Sequence, residues 1–293
     1  MIFSNNSSFI KKFLSILIAF SIYLIIMFLT IVFIINNTVF NKSFIVKNLQ
    51  HSDYIATSTE QIRNNMEKLG KDSGFSSDFF MTIISRDDIE LDILNSFEKL
   101  YNNENEEYSS DFEDMLYGKF VEYGTSNGHK ITEGVSTNLH KLASFCGQIY
   151  ASHTSIPCYA QIRALIEMEK NFFSVYVLVG LILLLFMIII LFLINRKKLH
   201  ELTKLSIAIF AGSCLSFSLI LTSSKIFNIE KNLPISNLVF KNFAKKCYRE
   251  IWNEFLIILI NFAIIFVLLM VFYIFLTKMS GKKNKRKYVK LSN

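Results

Sequence analysis

Four stretches of this chain carry no charged residue over a length that crosses a lipid bilayer, and they restrict its folds more than any other feature. They cover residues 13–35, 172–194, 205–224 and 255–277, with lengths of 23, 23, 20 and 23 residues. A hydrocarbon core of about 30 Å needs about 20 residues at roughly 1.5 Å each. Backbone N–H and C=O groups find no water there, so segments this apolar are predicted to be transmembrane helices. Composition agrees: only 19% of residues are charged, against about 25% in a soluble domain, and there are 29 Phe but 2 Pro. The third stretch is the most dilute, with Ser206, Ser213, Ser216, Ser218, Thr222 and Ser223 among its apolar residues. The first is longer than the apolar core of a signal peptide, and no small-residue cleavage site follows it, so it is expected to be a retained anchor.

Charge near the span ends predicts orientation. Residues 1–12, 195–204 and 278–293 together hold 13 Lys and Arg, whereas residues 225–254 hold six. Short loops rich in Lys and Arg stay inside. Both termini are therefore expected to be cytoplasmic, in the plasma membrane, and residues 36–171 and 225–254 extracytoplasmic. Arg196, Lys197, Lys198, Lys282, Lys283, Lys285, Arg286 and Lys287 are read as topology determinants that also touch anionic lipid. A basic run in that position does not call for nucleic acid.

Residues 36–171 form the largest soluble segment, with 12 basic and 20 acidic residues. Their apolar positions repeat at helical spacing. Ile55, Ile62, Met66 and Leu69 make one stripe, with Gly70 expected as the residue just past the helix end. Ser85 is placed to cap a helix whose buried face is Ile89, Ile93, Phe97 and Leu100, and Ser110 to cap one carrying Phe112, Leu116, Phe120 and Tyr123. Val135, Leu139, Leu142, Cys146 and Ile149 mark another. A last helix is predicted to start at Pro157 and run to Ile194. No strand periodicity of any length competes, so the segment reads as an all-α domain of about five helices.

No local chemistry outweighs these structural roles. The acidic run 102–107 lacks the glycine and the alternating spacing of a calcium loop, and reads as a solvated connection. His51, His129, His140, His153 and His200 show no zinc spacing, and no phosphate-binding or nucleophile-elbow motif occurs. No cofactor is expected. Inside the spans there is no ionisable residue, which argues against ion-coupled transport.

The helix-packing candidates are Ala208, Gly212, Ser213 and Ser216 in the third span and Asn261 in the fourth. Small residues every four positions let another helix approach, and the fourth span is the expected neighbour. Asn261 is expected to bond Ser213 or Ser216. In the second loop, Phe240, Phe243, Cys247 and Ile251 lie on one helical face and Lys241, Lys245 and Arg249 on another. This predicts an amphipathic helix, capped by Ser236, on the outer leaflet or against the large domain. Trp252 falls at the interfacial position that Trp prefers.

The expected whole is an all-α, four-transmembrane-helix membrane protein with a large helical extracytoplasmic domain between spans 1 and 2. Its segments are 1–12, 13–35, 36–171, 172–194, 195–204, 205–224, 225–254, 255–277 and 278–293. The expected function is a non-enzymatic cell-envelope protein, an outside interaction or sensing module on a four-span anchor with lipids and a membrane-protein partner, in the role of an accessory subunit of a membrane complex. The alternative is a small transporter or channel component.

Overall fold

Every regular element in the computed structural model is an α-helix among the described residues, which are 2–71, 73–105, 111–196, 198–230, 232–233, 235 and 237–291. Side chains are described within 9–279 of these. The elements are α1 (Ile2–Thr38), α2 (Lys42–Gln50), α3 (Tyr54–Lys71), α4 (Ser77–Ile83), α5 (Arg86–Asn102), α6 (Asp111–Ser126), α7 (Glu133–Thr154), α8 (Tyr159–Asn195), α9 (Leu199–Ile226) and α10 (Leu238–Leu291). Four of them, α1, α8, α9 and α10, contain stretches long and apolar enough to cross a membrane. The chain is thus an all-α, multi-pass membrane protein with a large helical stretch between its first two spans.

The chain divides into two compact units. One, the span unit, comprises residues 1–38, 171–233 and 248–293; the other, the inter-span domain, comprises residues 39–170 and 234–247. The second loop is therefore not a separate surface helix: its residues 234–247 fold with the domain. Val239, Phe243 and Cys247 are buried in the domain core with Tyr54, Phe97 and Leu100. The Phe243 ring lies 5.5 Å from that of Tyr54 and 6.0 Å from that of Phe97. The expected cap Ser236 lies outside the described residues; Asn237 caps this helix, its Oδ1 accepting from the amides of Val239 (3.0 Å) and Phe240 (3.1 Å).

Local chemistry sets where the domain helices begin and end. Ser85 caps α5 by accepting from the Asp87 amide at 3.1 Å. Ser110 lies outside the described residues. At the far ends, a residue in the left-handed region closes three helices with paired hydrogen bonds that satisfy orphan carbonyls. Gly74 (φ 83°) closes α3, Asn103 (φ 63°) closes α5 and Gly128 (φ 78°) closes α6. For α3 the bonds are Phe75 N–H to Gly70 C=O and Gly74 N–H to Lys71 C=O, at 3.1 and 3.3 Å.

Gly70 is thus not the terminating glycine. It sits inside α3, buried, and a Cβ there would overlap the Phe80 ring. Leu69, expected in the core, is 37% exposed, because the one-residue advance to Gly70 brings the helix closest to Phe80. The last helix of the domain starts at Tyr159, two residues later than expected, because Cys158 has φ 58° and cannot be helical. It continues as α8 to Asn195. Of its expected stripe, Ile166 is buried and Leu165 exposed.

In the span unit α1 is the central helix. Ile18, Ala19 and Ile22 pack with Leu191 of α8 and Ile209 of α9. Met27 and Ile34 pack with Phe217 of α9 and Phe255 of α10. In its most apolar window α1 is 28% buried, against 6% for the spans of α8 and α10, so the rest of the chain leaves most of the surface of those two helices uncovered.

Candidate functional site

The concave site of the inter-span domain lies between α5 and α7, with the start of α6 closing one side. It is a groove of about 810 Å³. Asp92, Asn95, Ser96, Glu98, Lys99 and Asn102 line it from α5, which buries Ile89, Ile93, Phe97 and Leu100 in the core and so turns its polar face to the groove. Across from them stand Tyr150, Ala151, Thr154 and Ser155, and Glu104, Asp111 and Phe112 complete the wall. Four carboxylates therefore face one lysine.

Tyr150 is the fixed point. Its hydroxyl donates to Asp92 Oδ2 at 2.6 Å, and its ring stacks on Phe112 with centroids 3.8 Å apart and planes at 20°. Burial first, and then the Asp92 carboxylate, push the phenol well above its ordinary pKa, so it stays a donor at any physiological pH. Glu98 is paired with Lys42 of α2 at 2.6 Å, an exposed bridge that contributes little by itself. The segment 104–105 is held from α8: Tyr159 Oη and Arg163 Nη1 each donate to the Glu104 carbonyl at 3.1 Å, and Arg163 also bonds Asn105 Oδ1.

Part of the acidic run read from sequence as a solvated connection is thus groove wall: Asn102 and Glu104 line it. Glu106 and Glu107 lie outside the described residues. Among the described residues no three His, Cys, Asp or Glu side chains gather as a metal site.

The span residues singled out from sequence fall as follows. Gly212 faces the Tyr23 ring of α1, where an added Cβ would meet it at 3.5 Å. Ser216 and Tyr23 share a hydrogen bond between their hydroxyls. Ser213 is fully buried and donates to the Ile209 carbonyl at 3.0 Å. Ala208 and Asn261 are exposed on their helices. Gly212 and Ser216 of the small-residue face are therefore turned to α1, and the hydrogen bond expected from Asn261 is made instead by Tyr23. Toward α10, α9 presents large rings: Phe217 lies 5.8 Å from Phe255 and 5.6 Å from Phe262. A second interhelical bond, which sequence reading missed, joins Asn195 Nδ2 of α8 to Ser15 Oγ of α1 at 2.9 Å, both residues buried. Its only signal was an amide one residue past the charge-free stretch.

Of the interfacial set, Lys241 and Lys245 are half-buried and Arg249 is exposed, its Nε 2.9 Å from Glu230 Oε1. Trp252 is half-buried, its ring 5.2 Å from Phe255. Arg196 and Lys198 are exposed. Lys197 and the side chains of Lys282, Lys283, Lys285, Arg286 and Lys287 lie outside the described residues.

No protein-family model matches the chain, and comparison with curated proteins and with solved structures finds no match either. Function has to come from the geometry.

Proposed function

We propose that this is a non-enzymatic plasma-membrane protein with cytoplasmic termini, whose inter-span domain is an extracytoplasmic interaction module that receives a basic peptide segment in the α5–α7 groove. The observation that supports this reading is the groove itself, lined by four carboxylates and one lysine together with the stacked Tyr150 and Phe112. Its volume of about 810 Å³ falls in the range of natural ligand sites, about 300–1,000 Å³. Glu98 and Asp92 already have partners, so the groove is preorganised rather than a loose acidic surface. Basic side chains bound there would exchange water for carboxylates at short range, an attraction that salt screens. The partner this suits is an envelope protein with an exposed Lys- or Arg-rich segment, which is the accessory-subunit role.

A tetra-arginine peptide is the probe. It is titrated calorimetrically against the full chain in nanodiscs of zwitterionic lipid, which removes anionic lipid as a competitor. Saturable binding is expected, weakened about tenfold or more when Asp92→Asn and Glu104→Gln are combined, since each charged contact contributes about 1–3 kcal/mol. Binding that ignores both substitutions would end the groove reading.

A further inference from the structure

Within the inter-span domain, the last turn of α5 touches three places far apart in sequence. The Tyr101 hydroxyl donates to the Val39 carbonyl at 2.7 Å. The Tyr101 carbonyl accepts from Lys170 Nζ. The Tyr101 ring, 7% exposed, shares its core cluster with Cys247. The segment that ends at Cys247 meets α5 one turn earlier, where the Phe243 ring lies 6.0 Å from that of Phe97.

Val39, Lys170 and Cys247 have one thing in common. Each is the residue at which the chain passes between the domain and the span unit: Val39 follows the last residue of α1, Lys170 precedes 171, and Cys247 precedes 248. We infer that the C-terminal turn of α5 is a clasp that binds these three membrane-leading segments into one cooperative element of the domain. This goes beyond the groove reading and does not depend on it.

The chemistry suits a clasp. A helix ends in unpaired carbonyls carrying partial negative charge, and an ammonium group is favoured there; Lys170 supplies it. A buried core position needs no hydroxyl, and a buried phenol without a partner is costly. At Tyr101 the hydroxyl reaches a carbonyl one residue beyond α1. Lys42 adds a weaker tie from α2 to Glu98, one turn earlier on α5. Asn103 in the left-handed region then stops α5 directly after the turn, which keeps the Tyr101 carbonyl available to Lys170.

Hydrogen exchange read by mass spectrometry on the full chain in nanodiscs tests the clasp without any ligand. The variants are Tyr101→Phe, which removes only the hydroxyl, and Lys170→Met, which removes only the ammonium group. Each is expected to speed amide exchange about three- to tenfold, the equivalent of one lost hydrogen bond, in peptides covering 40–46, 165–171 and 241–247 together. Peptides from α4 and the middle of α6 should keep their wild-type rates. Acceleration confined to the segment whose own bond was removed, or absent altogether, overturns the inference. So does acceleration that also reaches α4 and α6, because that is general loosening of the domain and not release of a local clasp.

Discussion

In the inter-span domain the bulkiest side chains are the best hidden: Phe80, Phe120, Leu49, Ile62 and Met66 are at most 1% exposed. Along α8 the order is reversed, with Leu185 at 63% and Phe186 at 57% exposed. What the span unit hides includes Ser15, Ser213 and Asn195. The difference follows from the two solvents. Water drives apolar area inward at roughly 25 cal/mol per Å², whereas lipid tails accept Leu and Phe as readily as another helix does. In lipid, small residues and hydrogen bonds become the grounds for association. The span unit still buries a few rings, Phe217 at 0% exposed among them, but along α8 the large apolar side chains are mostly surface.

The sharpest way to break this comparison is to truncate a large side chain in each region. Phe120→Ala removes a ring that packs on Phe75, Phe79 and Phe80 with centroids 4.7, 5.7 and 6.2 Å away. A loss of about 3–5 kcal/mol is expected, read as thermal unfolding of the full chain in detergent. Leu185→Ala should shift the same transition by less than about 1 kcal/mol, because the removed methyls pack on nothing else in the chain and lipid tails take their place. Equal effects would show that the span is covered by protein and not by lipid.

The domain core also makes a pH prediction. Burial raises the Tyr54 phenol from 10.0 to about 12. A folded-state pKa above the unfolded one means the contribution is fully present below pH 10 and disappears as pH rises toward about 12. It amounts to about 2–3 kcal/mol by the usual conversion. The domain should lose stability across that window, and Tyr54→Phe should flatten the slope there while leaving behaviour at pH 7 nearly unchanged. An identical slope in the variant would assign the loss to other groups.

Two glycines sharpen the contrast further. At Gly70 an added methyl would overlap the Phe80 ring, which is 1% exposed and held by Phe75, Phe79 and Phe120. Gly70→Ala should therefore cost about 1–3 kcal/mol in spite of alanine's better helix propensity. At Gly180 the added methyl would meet Leu29 Cδ2 at 2.6 Å, the far end of a flexible side chain. Gly180→Ala is expected within about 1 kcal/mol of wild type. A large loss at Gly180 would mean that the spans are packed as tightly as the domain.

How far the sequence reveals this architecture also differs between the regions. Charge-free length marks the four spans; only the third stretch, diluted by its serines, leaves a buried soluble helix as the alternative. The stripe of α5 is read correctly in full, since Ser85 fixes its phase. On α3 the phase is read one residue off at the end, because nothing local announces that Gly70 exists to admit Phe80, a residue of the next helix. The groove was not legible. Asp92 and Tyr150 are 58 residues apart, and each by itself looks like an ordinary polar position on an amphipathic helix. The folding of 234–247 into the domain was legible as amphipathicity, which demands an apolar partner but left the outer leaflet and the large domain as alternatives.

The smallest expected effect is the one most specific to the membrane. Tyr23 and Ser216 share the hydroxyl pair that joins α1 to α9, and Gly212, one turn away, makes room for the Tyr23 ring. Interhelical hydrogen bonds in lipid contribute about 0.6 kcal/mol on average and about 1.7 at most, because helices apart in the bilayer find other partners. Tyr23→Phe keeps the ring in the Gly212 notch and removes only the bond, so a loss of about 0.5–1 kcal/mol is expected. Gly212→Leu keeps the bond's residues but fills the notch, and should cost more, about 1–3 kcal/mol. Cysteine cross-linking between α1 and α9, measured for both variants, checks the order. If Tyr23→Phe weakens the contact more than Gly212→Leu does, the span unit is held by polar chemistry rather than by fit, and its likeness to a close-packed, small-residue interface fails.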